Sequence, residues 1–160
     1  MKPIVLFALL AAALPAHAGK GKALFDEGDW TAYKGDKSVS IITSAGEVGL
    51  LTVCPDDPSG SCSWALVVQP DFCVVGRKIP VLLYGHSGGV SADLTCNSND
   101  DDGSILLFSE FDLVTAMVAE SQAIQIAVPV PDKIEVIEFR VKGYTNAVVK
   151  LARIIDGGER

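Results

Sequence analysis

Residues 90–96, VSADLTC, place Val90, Ala92, Leu94 and Cys96 on one face and Ser91, Asp93 and Thr95 on the other. That period-2 alternation marks a half-buried strand with Cys96 pointing inward. Short β-rich runs recur before it: WTAY (30–33), SVSIIT (38–43), VGLLTVC (48–54), CSWALVV (62–68), FCVV (72–75) and IPVLLY (79–84). Turn residues separate them, KGDK at 34–37 and PDDPSGS at 55–61 being the clearest. Further on, ILLF (105–108) comes after the polar loop NSNDDDGS (97–104). AIQIAVPV (123–130) alternates with Ile124, Ile126, Val128 and Val130 inward, and Pro129 points to an edge position or a strand end. IEVIEFRV (134–141) also alternates, but its phase slips between Val136 and Ile137, which predicts a β-bulge.

Two segments change to helical period. Ser109-Glu110-Phe111-Asp112 reads as a capping box with Asp in place of Glu, and Phe111, Val114 and Val118 recur at helical spacing. This predicts a helix over about 110–120. Tyr144, Val148, Leu151 and Ile155 form the apolar stripe of a second helix over about 144–155, which Gly157 is placed to end. Neither a repeat nor a linker interrupts the pattern. The expected class is β-rich α+β, an antiparallel sheet or sandwich with two short helices.

The N-terminus obeys a different rule. Met1-Lys2 gives a positive start, Ile4–Leu14 is an unbroken apolar run, and Pro15 precedes Ala16-His17-Ala18. Charge, short apolar core, break and A-x-A make a secretory signal peptide, with cleavage expected after Ala18. The run is shorter than the ~20 residues of a spanning helix. Residues 1–18 are therefore read as a leader and 19–160 as a single globular domain, periplasmic or secreted. Loss of Lys2 takes the net charge from −7 to −8. An acidic surface disfavours nucleic acid and anionic membrane, and it suits a cationic partner.

Cys54, Cys62, Cys73 and Cys96 all lie in the mature part. An even count in an exported chain reads as two disulfides, and four cysteines permit three pairings. Cys54 and Cys62 flank the 55–61 turn, so a bridge there pins a hairpin, which leaves Cys73 with Cys96. The sequence has no C-x-x-C motif, and the cysteine spacings and scarce histidine do not suit zinc.

Gly85-His86-Ser87-Gly88-Gly89 is a literal G-x-S-x-G, the nucleophile-elbow pattern of α/β-hydrolases. The pattern needs a histidine base from elsewhere in the chain. His17 leaves with the leader, His86 adjoins Ser87, and the segment after the motif alternates as a strand rather than a helix. A glycine-rich hairpin loop between strands 79–84 and 90–96 is the simpler expectation. SNDDDGSI is similar to part of an EF-hand loop, with Asp100 and Asp102 at ligand positions. However, Ser98 and Ser109 fall where anionic ligands belong, so a solvated acidic turn is expected. Trp30 and Trp64 are expected in the core. Lys142, Lys150 and Arg153 are expected on a solvated helix face, where their charge suits the helix dipole. No catalytic residues, metal ligands or cofactor fingerprint are assigned.

An early tryptophan, a cysteine-bearing β-rich middle and the closing FRVKGYTNAVVKLARI together resemble the invasion-associated locus B proteins of bacteria. That family tends to close on a strand, a Gly-aromatic pair and a short helix, matched here by Phe139–Val141, Gly143-Tyr144 and the helix expected over 144–155. It commonly places a cysteine soon after the first tryptophan, whereas TAYKGD comes after Trp30 here. The resemblance implies an exported β-sandwich-like protein of the envelope or host interface with no known catalytic residues. The expected function is non-enzymatic binding of a protein partner from the envelope or the host. The alternatives are an acidic inhibitor or immunity protein against a cationic secreted enzyme such as lysozyme, and a serine hydrolase acting through Ser87.

Overall fold

A computed structural model describes residues 21–56, 60–101, 103–130 and 132–155. The leader (1–18), Asp102 and Gly157 lie outside them. Within the described residues ten strands and two helices run in order: β1 (Lys22–Glu27), β2 (Trp30–Lys34), β3 (Ser38–Ala45), β4 (Val48–Pro55), β5 (Ser63–Val68), β6 (Lys78–Gly85), β7 (Gly88–Asp100), β8 (Gly103–Phe108), α1 (Phe111–Glu120), β9 (Ala123–Val130), β10 (Lys133–Arg140) and α2 (Tyr144–Ile155). All of these strands join one open antiparallel sheet, in the order β1-β2-β3-β4-β5-β8-β7-β6-β9-β10. The expected β-rich α+β class is thus realised as a single sheet.

The sheet curls around one core. Its inner face carries Trp30, Ile41, Leu50, Trp64, Leu66 and Leu94, and both helices close over these residues with Val114, Val118, Tyr144 and Leu151. Trp30 Nε1 donates to the Val141 carbonyl at 3.0 Å, and Thr43 Oγ1 donates to the Arg140 carbonyl at 3.0 Å. These bonds tie β2 and β3 to the end of β10, across the mouth of the curl. Gly28 makes the closure possible. Its φ is +62°, and a Cβ there would collide with the Lys142 carbonyl. Gly143 faces it with φ +91°, its Cα against Gly28. Asp29 N–H donates to the Lys142 carbonyl (2.9 Å), and Lys142 N–H donates to Asp29 Oδ2 (3.0 Å). Lys142-Gly143, just before α2, is therefore the docking point of the first hairpin.

Both expected disulfides form, Cys54–Cys62 and Cys73–Cys96. Paired cysteines of this kind belong to an oxidising compartment. The helix bounds agree with expectation, while several details are corrected. FCVV is a turn and not a strand: Cys73 is bridged to β7, and Arg77 N–H returns to the Val74 carbonyl at 3.0 Å. The capping box does not form. Glu110 is the N-cap residue without a side-chain cap bond, and its carboxylate accepts from Asp93 N–H, while Ser109 N–H is held by the Asp93 carbonyl. The buried face of α2 is Tyr144, Ala147 and Leu151, leaving Val148 and Ile155 exposed. β10 has no bulge, because its register with β9 runs unbroken from Lys133–Val130 to Arg140–Ala123. The register shifts lie instead in β7 between Cys96 and Ser98 and in β1 between Ala23 and Phe25. Pro129 sits near the strand end as expected. The β6–β9 ladder spans only Leu82–Tyr84 against Gln125–Ala127, and neither Pro80 nor Pro129 has an N–H to extend it.

Candidate functional site

Ser87 lies in the two-residue His86-Ser87 turn between the paired Gly85 and Gly88, the tight end of the β6–β7 hairpin. The hairpin reading of GHSGG is therefore the observed one. His86 N–H donates to Ser121 Oγ at 3.0 Å. Ser87 Oγ contacts Met117 Sδ at 3.6 Å, and a thioether cannot accept the serine proton in general-base catalysis. His86 shares a shallow depression with Glu120 and Gln122, of which Ser87 is not a lining residue.

The acidic segment is the β7–β8 turn, with Asp100 paired to Gly103. Asn99 Oδ1 organises it by accepting from Asp71 N–H (2.9 Å) and Ser104 Oγ (2.8 Å). Among the described residues no three His, Cys, Asp or Glu side chains gather as metal ligands. Trp30 and Trp64 are buried and pack against Tyr144 with ring centroids 5.1 and 5.2 Å away, and against each other edge-on at 6.1 Å. Burial raises the Tyr144 phenol above its ordinary value, while hydrogen bonds to Thr52 and Thr115 work against the rise. Of the three cations expected to be solvated, Lys150 lies 4.6 Å from the Phe25 ring centroid and pins α2 to β1.

What sequence reading missed is a surface. Among the described residues nine large apolar side chains are exposed. Three (Val148, Val149 and Ile155) lie on α2, and the other six are Val74, Val75, Leu82, Tyr84, Ile134 and Val136. The register explains how four of these six, Leu82, Tyr84, Ile134 and Val136, assemble. Leu82 faces Ala127, which faces Val136; Pro129 faces Ile134; Tyr84 faces Gln125, which faces Glu138. Directly paired residues share a sheet face, so these side chains form rows across the outer side of β6, β9 and β10. The surface is roughly 10 Å across and 14 Å along the strands. Ile134 and Val136 are 68% and 58% exposed, although both are β-branched residues in a regular strand. Their outward placement, with Ile137 and Phe139 inward, is what the phase slip in β10 records.

The Val74-Val75 turn adjoins this face at Pro80 and Pro129, on the side of the strand ends that Ile79 and Glu135 also line. Val74 lines the same depression as Pro80, Pro129 and Val130, and it is 68% exposed. The turn is held on three sides: the Cys73–Cys96 bridge, Gly76 N–H on the Cys96 carbonyl at 2.8 Å, and Cys96 N–H on the Arg77 carbonyl at 2.9 Å. Two valines are thus presented on braced backbone. Polar groups surround the apolar centre: Arg77 and Lys78 beside the turn, Lys133 paired to Glu135 at 2.8 Å, and Glu138 accepting from Gln125 Nε2 at 2.8 Å. An apolar centre with a polar rim is the anatomy of a protein interface.

No family model matches this sequence, and no curated protein does. Among solved structures, the fold is similar to the crystal structure of invasion associated protein B from Bartonella henselae. The TM-score is 0.60 at 17% sequence identity, over 83% of this chain and 97% of that one. The likeness is one of fold, and it spans nearly the whole of that protein.

Proposed function

We propose that this chain is an exported, non-catalytic interaction protein of the bacterial envelope or host interface. It docks a protein partner through the outer face of β6, β9 and β10 and the Val74-Val75 turn. The observation that carries this reading is that four of the nine exposed apolar side chains, Leu82, Tyr84, Ile134 and Val136, share the outer face of β6, β9 and β10, with Val74 and Val75 on the adjoining turn. The leader pattern, the two disulfides and a structural neighbour named for invasion support the setting. The serine-hydrolase alternative finds no support at Ser87, whose hydroxyl meets a thioether. The acidic-inhibitor alternative rests on net charge, whereas the rim of this face carries Arg77 and Lys78.

Affinity capture with the oxidised mature domain tests the proposal, using envelope and host-surface extracts as prey. A partner held by the native bait and lost by a Leu82→Asp/Val136→Asp bait with unchanged circular dichroism is the expected result. Equal capture by the two baits, or none by either, refutes the assignment of this face.

A further inference from the structure

The opposite end of the same outer face carries a second feature of another kind. Ile42, Leu51, Ala65 and Val67 form a hydrophobic cluster separate from the core, on the reverse of β3, β4 and β5. Helical side chains join the core cluster and, among the described residues, none joins this one. Yet its members are as buried as core residues, Val67 being 1% exposed. Leu51, Ala65 and Val67 form the floor of a recess of about 460 Å³ that opens on the surface. A broad protein surface cannot reach such a floor, whereas a slender ligand can. The volume falls within the ~300–1,000 Å³ range of small-molecule sites.

The register gives the recess a direction. Val67 pairs with Ile105 in one row. The next row along the strands is Ile42, Leu51, Ala65 and Leu107. The third is Tyr33, Ser40, Val53 and Ser63. Ser38 and Asp36 lie beyond it. Polarity thus rises along one axis, from aliphatic side chains at one end to hydroxyls and a carboxylate at the other. Val67 to Ser63 spans about 13 Å of strand. Among the described residues, Asp36 is the one charged group lining the recess.

We infer that the recess is a binding site for a small cationic amphiphile. Its alkyl or aryl body lies on Leu51, Ala65, Val67 and Leu107, and its ammonium group lies beside Asp36 and the Ser38–Ser40 hydroxyls. The ligand class is set by the apolar-to-anionic gradient. The site is distinct from the protein-docking face and does not depend on it.

Titration of the full oxidised mature protein with dodecyltrimethylammonium, dodecyl maltoside and dodecyl sulfate, each below its micellar concentration, tests the inference. Calorimetry and amide chemical-shift mapping supply the readouts. Saturable binding of the cationic probe is expected, with shifts centred on Ser40, Val53, Ala65 and Leu107. The anionic probe should bind roughly tenfold more weakly or not at all. Asp36→Asn should erase the charge preference without affecting the fold, because Asp36 is exposed, and Ala65→Leu should fill the floor and weaken all three probes. The inference is overturned by shifts centred on Leu82 and Val136, by the absence of saturable binding, or by a charge preference that survives Asp36→Asn.

Discussion

Trp64 belongs to the aromatic trio and donates its indole N–H to Thr115 Oγ1 at 2.8 Å, joining β5 to α1. Trp64→Ala removes a fully buried ring and should lower unfolding free energy by about 3–5 kcal/mol in a urea titration. Trp30→Phe keeps most of the volume but leaves the Val141 carbonyl without its donor, so a loss of about 1–3 kcal/mol is expected. Tyr144 adds a pH dependence. Its phenol pKa is raised in the fold above the ordinary 10.0. Below that value the folded and unfolded states are both protonated, and stability is intact. As pH rises through it, the unfolded chain releases its proton first, so stability falls until the folded phenol also ionises. The urea midpoint should therefore drop above about pH 10, and less steeply in Tyr144→Phe. Ser87→Ala should shift stability by less than about 0.5 kcal/mol, since its hydroxyl only touches a thioether.

Among the elements, the Cys73–Cys96 turn has the most specific role. Each bridge restrains the unfolded chain, so replacing either cysteine pair by alanine should cost on the order of 3 kcal/mol. Their effects on partner capture should differ. Cys73→Ala/Cys96→Ala frees the Val74-Val75 turn and should weaken capture, whereas Cys54→Ala/Cys62→Ala loosens the remote β4–β5 turn and should leave it intact. The elements also show what the sequence could disclose. Strand β7 was legible because its alternation is clean over 90–96, β3 and β4 because β-rich runs lie between turn residues, and α2 because Tyr144 and Leu151 fall at helical spacing. Its buried face was misread because Ala147 is small and Val148 is not, so size concealed which residue turns inward. β1, Lys-Ala-Leu-Phe-Asp-Glu, has no alternation to detect and carries a register shift at Leu24.

At the scale of the molecule, one sheet serves two ends. Its inner face is an ordinary core, while its outer face offers a protruding apolar surface at β6-β9-β10 and a recess at β3-β4-β5-β8. Neither site was legible before the strand order was known. Leu82 and Val136 are neighbours only because β9 lies between β6 and β10, a non-sequential arrangement. The phase slip in β10 was visible in the sequence, but without its neighbours it reads as a bulge rather than a strand apolar on both faces. The four cysteines were more informative, since the turn that Cys54 and Cys62 flank already indicated their pairing.

The docking face is tested most directly by site-specific photocrosslinking in the producing cell or in contact with its host. A benzophenone side chain is placed at Leu82, at Val136 or, as an exposed apolar control, at Val149 on α2. Positions 82 and 136 should each give one discrete adduct of the same mass, and position 149 none. An adduct from 149 alone, or no discrete adduct from 82 and 136, contradicts docking through this face.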